Sequence, residues 1–300
     1  MSTTTRRHVL AGGALLATAG VAVGRTPARR TFFAPVSTGE ERGPPIRQRT
    51  ATTRKLFKCP AGYPNALSSS PDGLWIAEQR VDKARERIWR VDGTGAVLQT
   101  LSSDATDTSG IAYGNGVLWV CANSETNQGV YETSRDGRTL AHRQIPLGPA
   151  QLAGGCHGAT WHDGFLWVTA NRPRAILRID PKTWTVSYLI PFGLPGGLTR
   201  YHGCAVLGDS MYMVSGGESR TYAEGQTNLI RYDLATGVIR EIFDFAPGSC
   251  DPHGLTVHDG RLIACDSGLH PGWDSRYDVH GLGKRTSPSA GWVFEIELGT

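Results

Sequence analysis

A pattern that returns about every 45 residues confines this chain to the repeat architectures. Equivalent positions are Asn65, Ser109, His157, His202 and His253, separated by 44, 48, 45 and 51 residues, which leaves no room for a skipped unit. Each is followed by a turn rich in Asp and Gly and a second apolar run, as in Asp72-Gly73-Leu74-Trp75-Ile76 and Asp163-Gly164-Phe165-Leu166-Trp167-Val168. An alternating third run comes next (Ile88–Asp92, Ile176–Asp180, Leu229–Asp233), and a fourth closes the unit (Ala96–Leu101, Val238–Phe243). Short antiparallel strands in fours, with no helical period beyond the N-terminus, predict an all-β chain, a β-propeller of five four-stranded blades. A sixth blade is the alternative, but it would have to come from residues 26–50, whose composition is wrong for strands. Residues 52–58 read as a lone strand, while the last repeat ends on its third, Trp292–Glu297. The N-terminal strand is therefore expected to complete the last blade and remove an exposed edge.

The segments outside the repeat have their own signatures. Arg6-Arg7 ahead of the apolar run Ala11–Val23 is the pattern of a twin-arginine signal, too short and too rich in Ala and Gly for a stable membrane anchor. Residues 1–25 are thus expected to direct export of the folded protein from a bacterial cytoplasm, to the periplasm or beyond. Residues 26–50, rich in Arg, Pro and Thr, read as a flexible linker, and 51–300 as the propeller. Eight of the arginines behind the net charge of +4 lie before residue 51. The propeller is therefore close to neutral, and nucleic-acid binding has no electrostatic support. Six cysteines in an exported chain admit disulfides, but no Cys-x-x-Cys spacing marks a metal site. Nothing marks an interface for a second copy, and a monomer is expected.

Three of the five equivalent positions are histidine, each followed by glycine: His157-Gly158, His202-Gly203 and His253-Gly254. First strands line the axis of a propeller, so the three imidazoles are expected to converge from adjoining blades. Imidazoles favour zinc, manganese, iron or nickel, and three protein ligands leave a position open for substrate. His157, His202 and His253 are accordingly the expected ligands of a divalent transition metal, with Asn65 and Ser109 completing the ring. His142, His162 and His258 fall in outer strands or turns and are expected to be solvated.

Loops on the same face supply further candidates. Glu78 and Asp266 share one register of the second strand, where other repeats have Ala or Ser, and are candidate acid–base or metal-supporting groups. Tyr201 and Arg174 are candidates to polarise a substrate oxygen or donate a proton. Asn123, Asn171 and the long insert carrying His270, Trp273 and Tyr277 are candidate substrate contacts.

The run Pro71-Asp72-Gly73-Leu74-Trp75-Ile76-Ala77-Glu78, with Ile88-Trp89-Arg90-Val91-Asp92 and Pro252-His253-Gly254-Leu255, resembles the streptogramin B lyase group of propellers and, more distantly, gluconolactonase-like and NHL-repeat propellers. The resemblance covers nearly all of the repeat region. It implies metal-assisted chemistry at the channel mouth, either elimination that opens a cyclic ester or lactone hydrolysis, with His253 in the matching Pro-His-Gly. The chain departs from that lyase group in having five blades rather than seven and three axial histidines. The triple histidine is similar in arrangement to the peptidyl-hydroxyglycine lyase domain; five-bladed glutaminyl cyclases share the blade count but not recognisable motifs. The expected function is a secreted metal-dependent lyase acting on a small molecule, peptide or saccharide. A metal-dependent lactonase or other hydrolase is the nearest alternative, and a non-catalytic ligand-binding propeller is the alternative of a different class.

Overall fold

The computed structural model describes residues 45–60, 63–79, 86–123, 126–147, 155–170, 172–193, 200–216, 228–267, 289 and 291–299. All belong to the compact unit Phe32–Thr300. Among them are twenty strands and no helix. The first, β1, is Arg47–Lys58. Four strands then form each successive unit: β2 (Pro64–Ser70) to β5 (Val97–Ser102), with β3 (Gly73–Glu78) and β4 (Arg87–Val91) between them. The second is β6 (Thr108–Gly114), β7 (Val117–Ala122), β8 (Gly129–Thr133) and β9 (Thr139–Arg143). The third is β10 (Cys156–His162), β11 (Phe165–Ala170), β12 (Ala175–Asp180) and β13 (Thr185–Pro191). The fourth is β14 (Arg200–Leu207), β15 (Ser210–Gly216), β16 (Asn228–Asp233) and β17 (Ile239–Phe245), and β18 (Gly254–His258), β19 (Arg261–Cys265) and β20 (Trp292–Leu298) follow.

Three units are separate four-stranded sheets, each in sequence order. The remaining strands form one eight-stranded sheet, β14-β15-β16-β17-β1-β20-β19-β18, in which β1 is the fourth strand of the last unit. The first strands meet in a closed circuit: β2 touches β6, β6 touches β10, β10 touches β14, β14 touches β18, and β18 returns to β2. Five blades around one axis follow from that circuit.

The core is divided in the same way. Five apolar clusters lie one at each blade junction. Trp75, Ala77 and Ile88 pack against Ile111, Leu118 and Val120 between the first and second blades, while Leu67, Ile76 and Trp89 pack against Ile263, Cys265 and Val293 between the first and last. Each sheet is thus buried on both faces, which is why Leu74-Trp75-Ile76-Ala77 can be apolar without alternation and all be at most 2 % exposed. Outer strands alternate or turn polar, as β5 does.

Strand β1 does more than the sequence implied. Residues 52–58 pair antiparallel with β20, as expected of a strand closing the last blade, but the strand begins at Arg47, inside the segment read as linker. Residues 47–51 pair in parallel with β17 of the preceding blade. An ionic cluster holds this extension. Glu241, only 1 % exposed, meets Arg231 Nη1 at 2.8 Å, Arg49 Nη1 at 3.2 Å and Arg47 Nη2 at 3.3 Å. Burial pushes the Glu241 carboxyl up, but the hydrogen bonds and charges of Arg231 and Arg49, with the charge of Arg47, outweigh it and hold the pKa below the usual glutamate value. A depressed folded-state pKa stabilises above the unfolded value and ceases to do so as pH falls through the folded one. Glu241→Gln is therefore expected to cost about 1–3 kcal/mol at neutral pH. Denaturation midpoints at pH 7 and near pH 3 check this: the gap between variant and parent should shrink in acid, and an undiminished gap would mean that shape rather than charge holds the extension.

Candidate functional site

The axial positions owe their geometry to irregularities in the first strands. In β2 the ladder passes from Pro64↔Glu78 to Ala66↔Ala77, in β6 from Thr108↔Ala122 to Gly110↔Cys121, and in β10 from Cys156↔Ala170 to Gly158↔Thr169. Asn65, Ser109 and His157 are thereby the extra residues of three bulges, and β14 has a similar shift spanning His202 and Gly203. A bulge releases one residue from the ladder and re-aims its side chain. His253 comes immediately before β18, its N–H donating to the Cys265 carbonyl at 2.8 Å.

The glycines that follow explain how closely the blades meet. A Cβ on Gly158 would lie 2.4 Å from the His202 carbonyl oxygen, one on Gly203 2.3 Å from the Leu255 nitrogen, and one on Gly254 2.9 Å from the Ala66 Cα. First strands here touch backbone to backbone. The glycine half of each His-Gly pair is thus a packing requirement, which the histidine half does not share.

The structure brings the three imidazoles side by side. Ring centroids are 5.4 Å apart for His157 and His202 and 4.7 Å apart for His202 and His253. His157 and His202 are buried, whereas the His253 side chain is 14 % exposed. Asn123 Nδ2 lies 2.7 Å from His157 Nε2. With the amide in that orientation Nε2 accepts, and the neutral ring carries its proton on Nδ1. The other two axial residues belong to a polar network. Asn65 donates to Gln79 Oε1 at 2.8 Å, Gln79 in turn donates to Asp107, and Ser109 donates to the Cys156 carbonyl at 2.8 Å.

The acids at the shared register divide sharply. Glu78 is clamped by Arg87, whose Nε and Nη2 reach its two oxygens at 2.8 and 3.0 Å, an arrangement that joins β3 to β4. Asp266, fully buried, has Oδ1 3.7 Å from His253 Nδ1 and accepts a 2.5 Å hydrogen bond from Ser289 at Oδ2. Asp251, two residues before His253, joins them. Potential ligand atoms of Asp251, His253 and Asp266 all lie within 4.8 Å of one another. Gln79 and Ser289 lie in the loops between second and third strands that the repeat marks as candidates, whereas Asp251 and Asp107 carry no such mark in the sequence.

Tyr201 is placed differently from the expectation. Its strand has already begun, so the ring turns into the junction of the third and fourth blades, 2 % exposed and stacked on Phe192 at 3.5 Å. Arg174 Nη2 is 3.4 Å from its hydroxyl. Burial raises the Tyr201 pKa and the neighbouring guanidinium opposes that rise. Arg174 itself is exposed, with φ of 54°. Asn171, His270, Trp273 and Tyr277 lie outside the described residues. His258, expected to be solvated, is half-buried, with Nδ1 2.8 Å from Ser69 Oγ across the junction of the last and first blades. All six cysteines are thiols rather than disulfides; burial raises the pKa of Cys121, Cys204 and Cys265.

No family model matches the chain, and no curated protein does. Solved structures do. The glutaminyl cyclase of Myxococcus xanthus is similar with a TM-score of 0.57 at 12% identity, covering 85% of this chain and 100% of that one. The tail fibre of Staphylococcus aureus phage P68 is similar with a TM-score of 0.52 at 11% identity; the match covers 82% of this chain and 52% of that one. Likeness at such identities is one of fold. Together with the closed circuit of first strands, it makes this chain a β-propeller.

Proposed function

We propose that the protein is a metal-dependent lyase, exported in its folded state, that works where His157, His202 and His253 come together. The observation that carries this reading is the row of three imidazoles contributed by three adjoining blades, with two carboxylates at one end of it. The donor types suit a divalent transition ion, which when bound supplies Lewis acidity toward a carbonyl or a leaving oxygen. The resemblance to propeller lyases in the blade sequence supports elimination over other chemistries of such a site.

The chain's own groups supply the rest. Rigid first strands fix the imidazoles, so little reorganisation is needed on binding. Asn123 holds His157 in one orientation. The partial exposure of His253 and Asp251 leaves the end of the row with the carboxylates open to solvent and to a substrate.

Elemental analysis of the purified protein beside the variant His157→Ala/His202→Ala/His253→Ala tests the reading, with both shown to be folded by circular dichroism. Roughly one equivalent of a transition metal in the parent and none in the variant is expected. No metal in either, even after incubation with zinc, manganese and nickel, would replace the enzyme by a ligand-binding propeller.

A further inference from the structure

We infer that the ion of the proposed site is held by Asp251, His253 and Asp266, and that His157 is not among its ligands. This rests on the metal-dependent reading above and assigns the site within it.

Four observations converge on this set. Side-chain donors of these three residues fall within 4.8 Å of one another, the only such group among the described residues. Metal–donor bonds of about 2.1 Å put two donors on one tetrahedral ion about 3.4 Å apart. The 3.7 Å between His253 Nδ1 and Asp266 Oδ1 is near that value and beyond the roughly 3.2 Å of a hydrogen bond.

Asp266 is also braced as ligating carboxylates are. Its Oδ2 accepts from Ser289 Oγ, which itself accepts from the Asp251 backbone N–H at 3.1 Å, so one hydroxyl ties both acids together and leaves Oδ1 facing the imidazole. A divalent cation draws two carboxylates at such a separation together, offsetting the repulsion between like charges.

His157, by contrast, has Nε2 against the Asn123 amide at 2.7 Å, and its blade adjoins that of His202, which in turn adjoins that of His253. The donor chemistry changes accordingly. Two carboxylates and one imidazole favour hard to borderline ions such as manganese, iron(II) or zinc, and disfavour soft ions such as copper(I).

Binding of Mn2+, followed by the electron paramagnetic resonance of the free ion, and of Zn2+, by competition with a chromophoric chelator, tests the set in the full-length protein. Asp251→Asn, Asp266→Asn and His253→Gln should each weaken binding about 30-fold or more, and His157→Gln by less than about threefold. Loss of binding in His157→Gln equal to that in Asp266→Asn, or Asp variants that bind like the parent, would overturn the assignment while leaving a metal site in place. A parent that binds neither ion would overturn both readings. Should the Asp variants fail to fold, electron spin-echo modulation of the Mn2+-loaded parent counts coordinated imidazoles. One, unchanged by His157→Gln, supports the assignment, and any other count overturns it.

Discussion

Gly203→Ala is expected to melt about 6–12 °C below the parent, or not to fold at all. The added methyl group would meet the Leu255 nitrogen at 2.3 Å and the Gly254 carbon and His253 oxygen at 2.9 Å. All three atoms are backbone, so no side chain can swing away. The strand that carries them is itself packed against the next, β18 against β2, and a closed ring has no free end into which a displacement can dissipate. Overpacking of a rigid core costs about 1–3 kcal/mol, and backbone against backbone belongs at the upper end; each kcal/mol is worth about 2–4 °C in a domain of this size. Gly93→Ala is the control, because a Cβ there has nothing within 4 Å. Differential scanning calorimetry of the two variants decides the matter: equal melting temperatures would show that the inner strands have room to separate.

His253→Ala should empty the proposed metal site as thoroughly as the triple histidine variant does. His253 belongs to both arrangements, lying 4.7 Å from His202 ring to ring and within 4.8 Å of the donors of both acids, whereas His157 and His202 belong only to the row of imidazoles. Removing a shared ligand is expected to lower affinity by about 100-fold or more, since loss even of an outer supporting group costs 10–100-fold. Because its side chain is only 14 % exposed, the variant is shown to be folded by circular dichroism before its metal content is read. Metal content after dialysis, measured for the three single variants and the triple one, gives the answer. A His253→Ala protein that keeps its metal while His157→Ala loses it would move the centre to the other end of the row.

The repeat spacing was enough to foresee the blades because each sheet is buried on both faces, so every second strand is marked by an unbroken apolar run such as Leu74–Ala77. The closing role of the N-terminal strand was legible for a related reason, since the last repeat visibly lacks a fourth run. The pairing of residues 47–51 with β17 was hidden, because Arg47, Gln48, Arg49 and Thr50 gain their hold from ladder bonds and from Glu241 rather than from apolar burial. At the site, the register of the three histidines was plain, but nothing in the spacing announces a bulge, and the bulges release His157 and Asn65 from the ladder. Asp251 stood in view two residues before His253; its nearness to Asp266 depends on Ser289, 38 positions away, and so on tertiary structure. The place of Tyr201 depends on where strand β14 starts, one residue before it, which sends its ring into the core.

The fastening of β1 between β17 and β20 has a temporal consequence. Arg54 bonds Glu295 across 241 positions of sequence. On a ribosome, then, blades one to four emerge and pair while β20, the antiparallel partner of β1, is still unmade, and the assembly stays an arc with bare edges at β1 and β19 until Trp292–Leu298 appears. Such an arc is the state most exposed to strand-by-strand association with its own kind. Whatever shields it, a chaperone or speed of synthesis, acts on a feature that the finished molecule no longer displays.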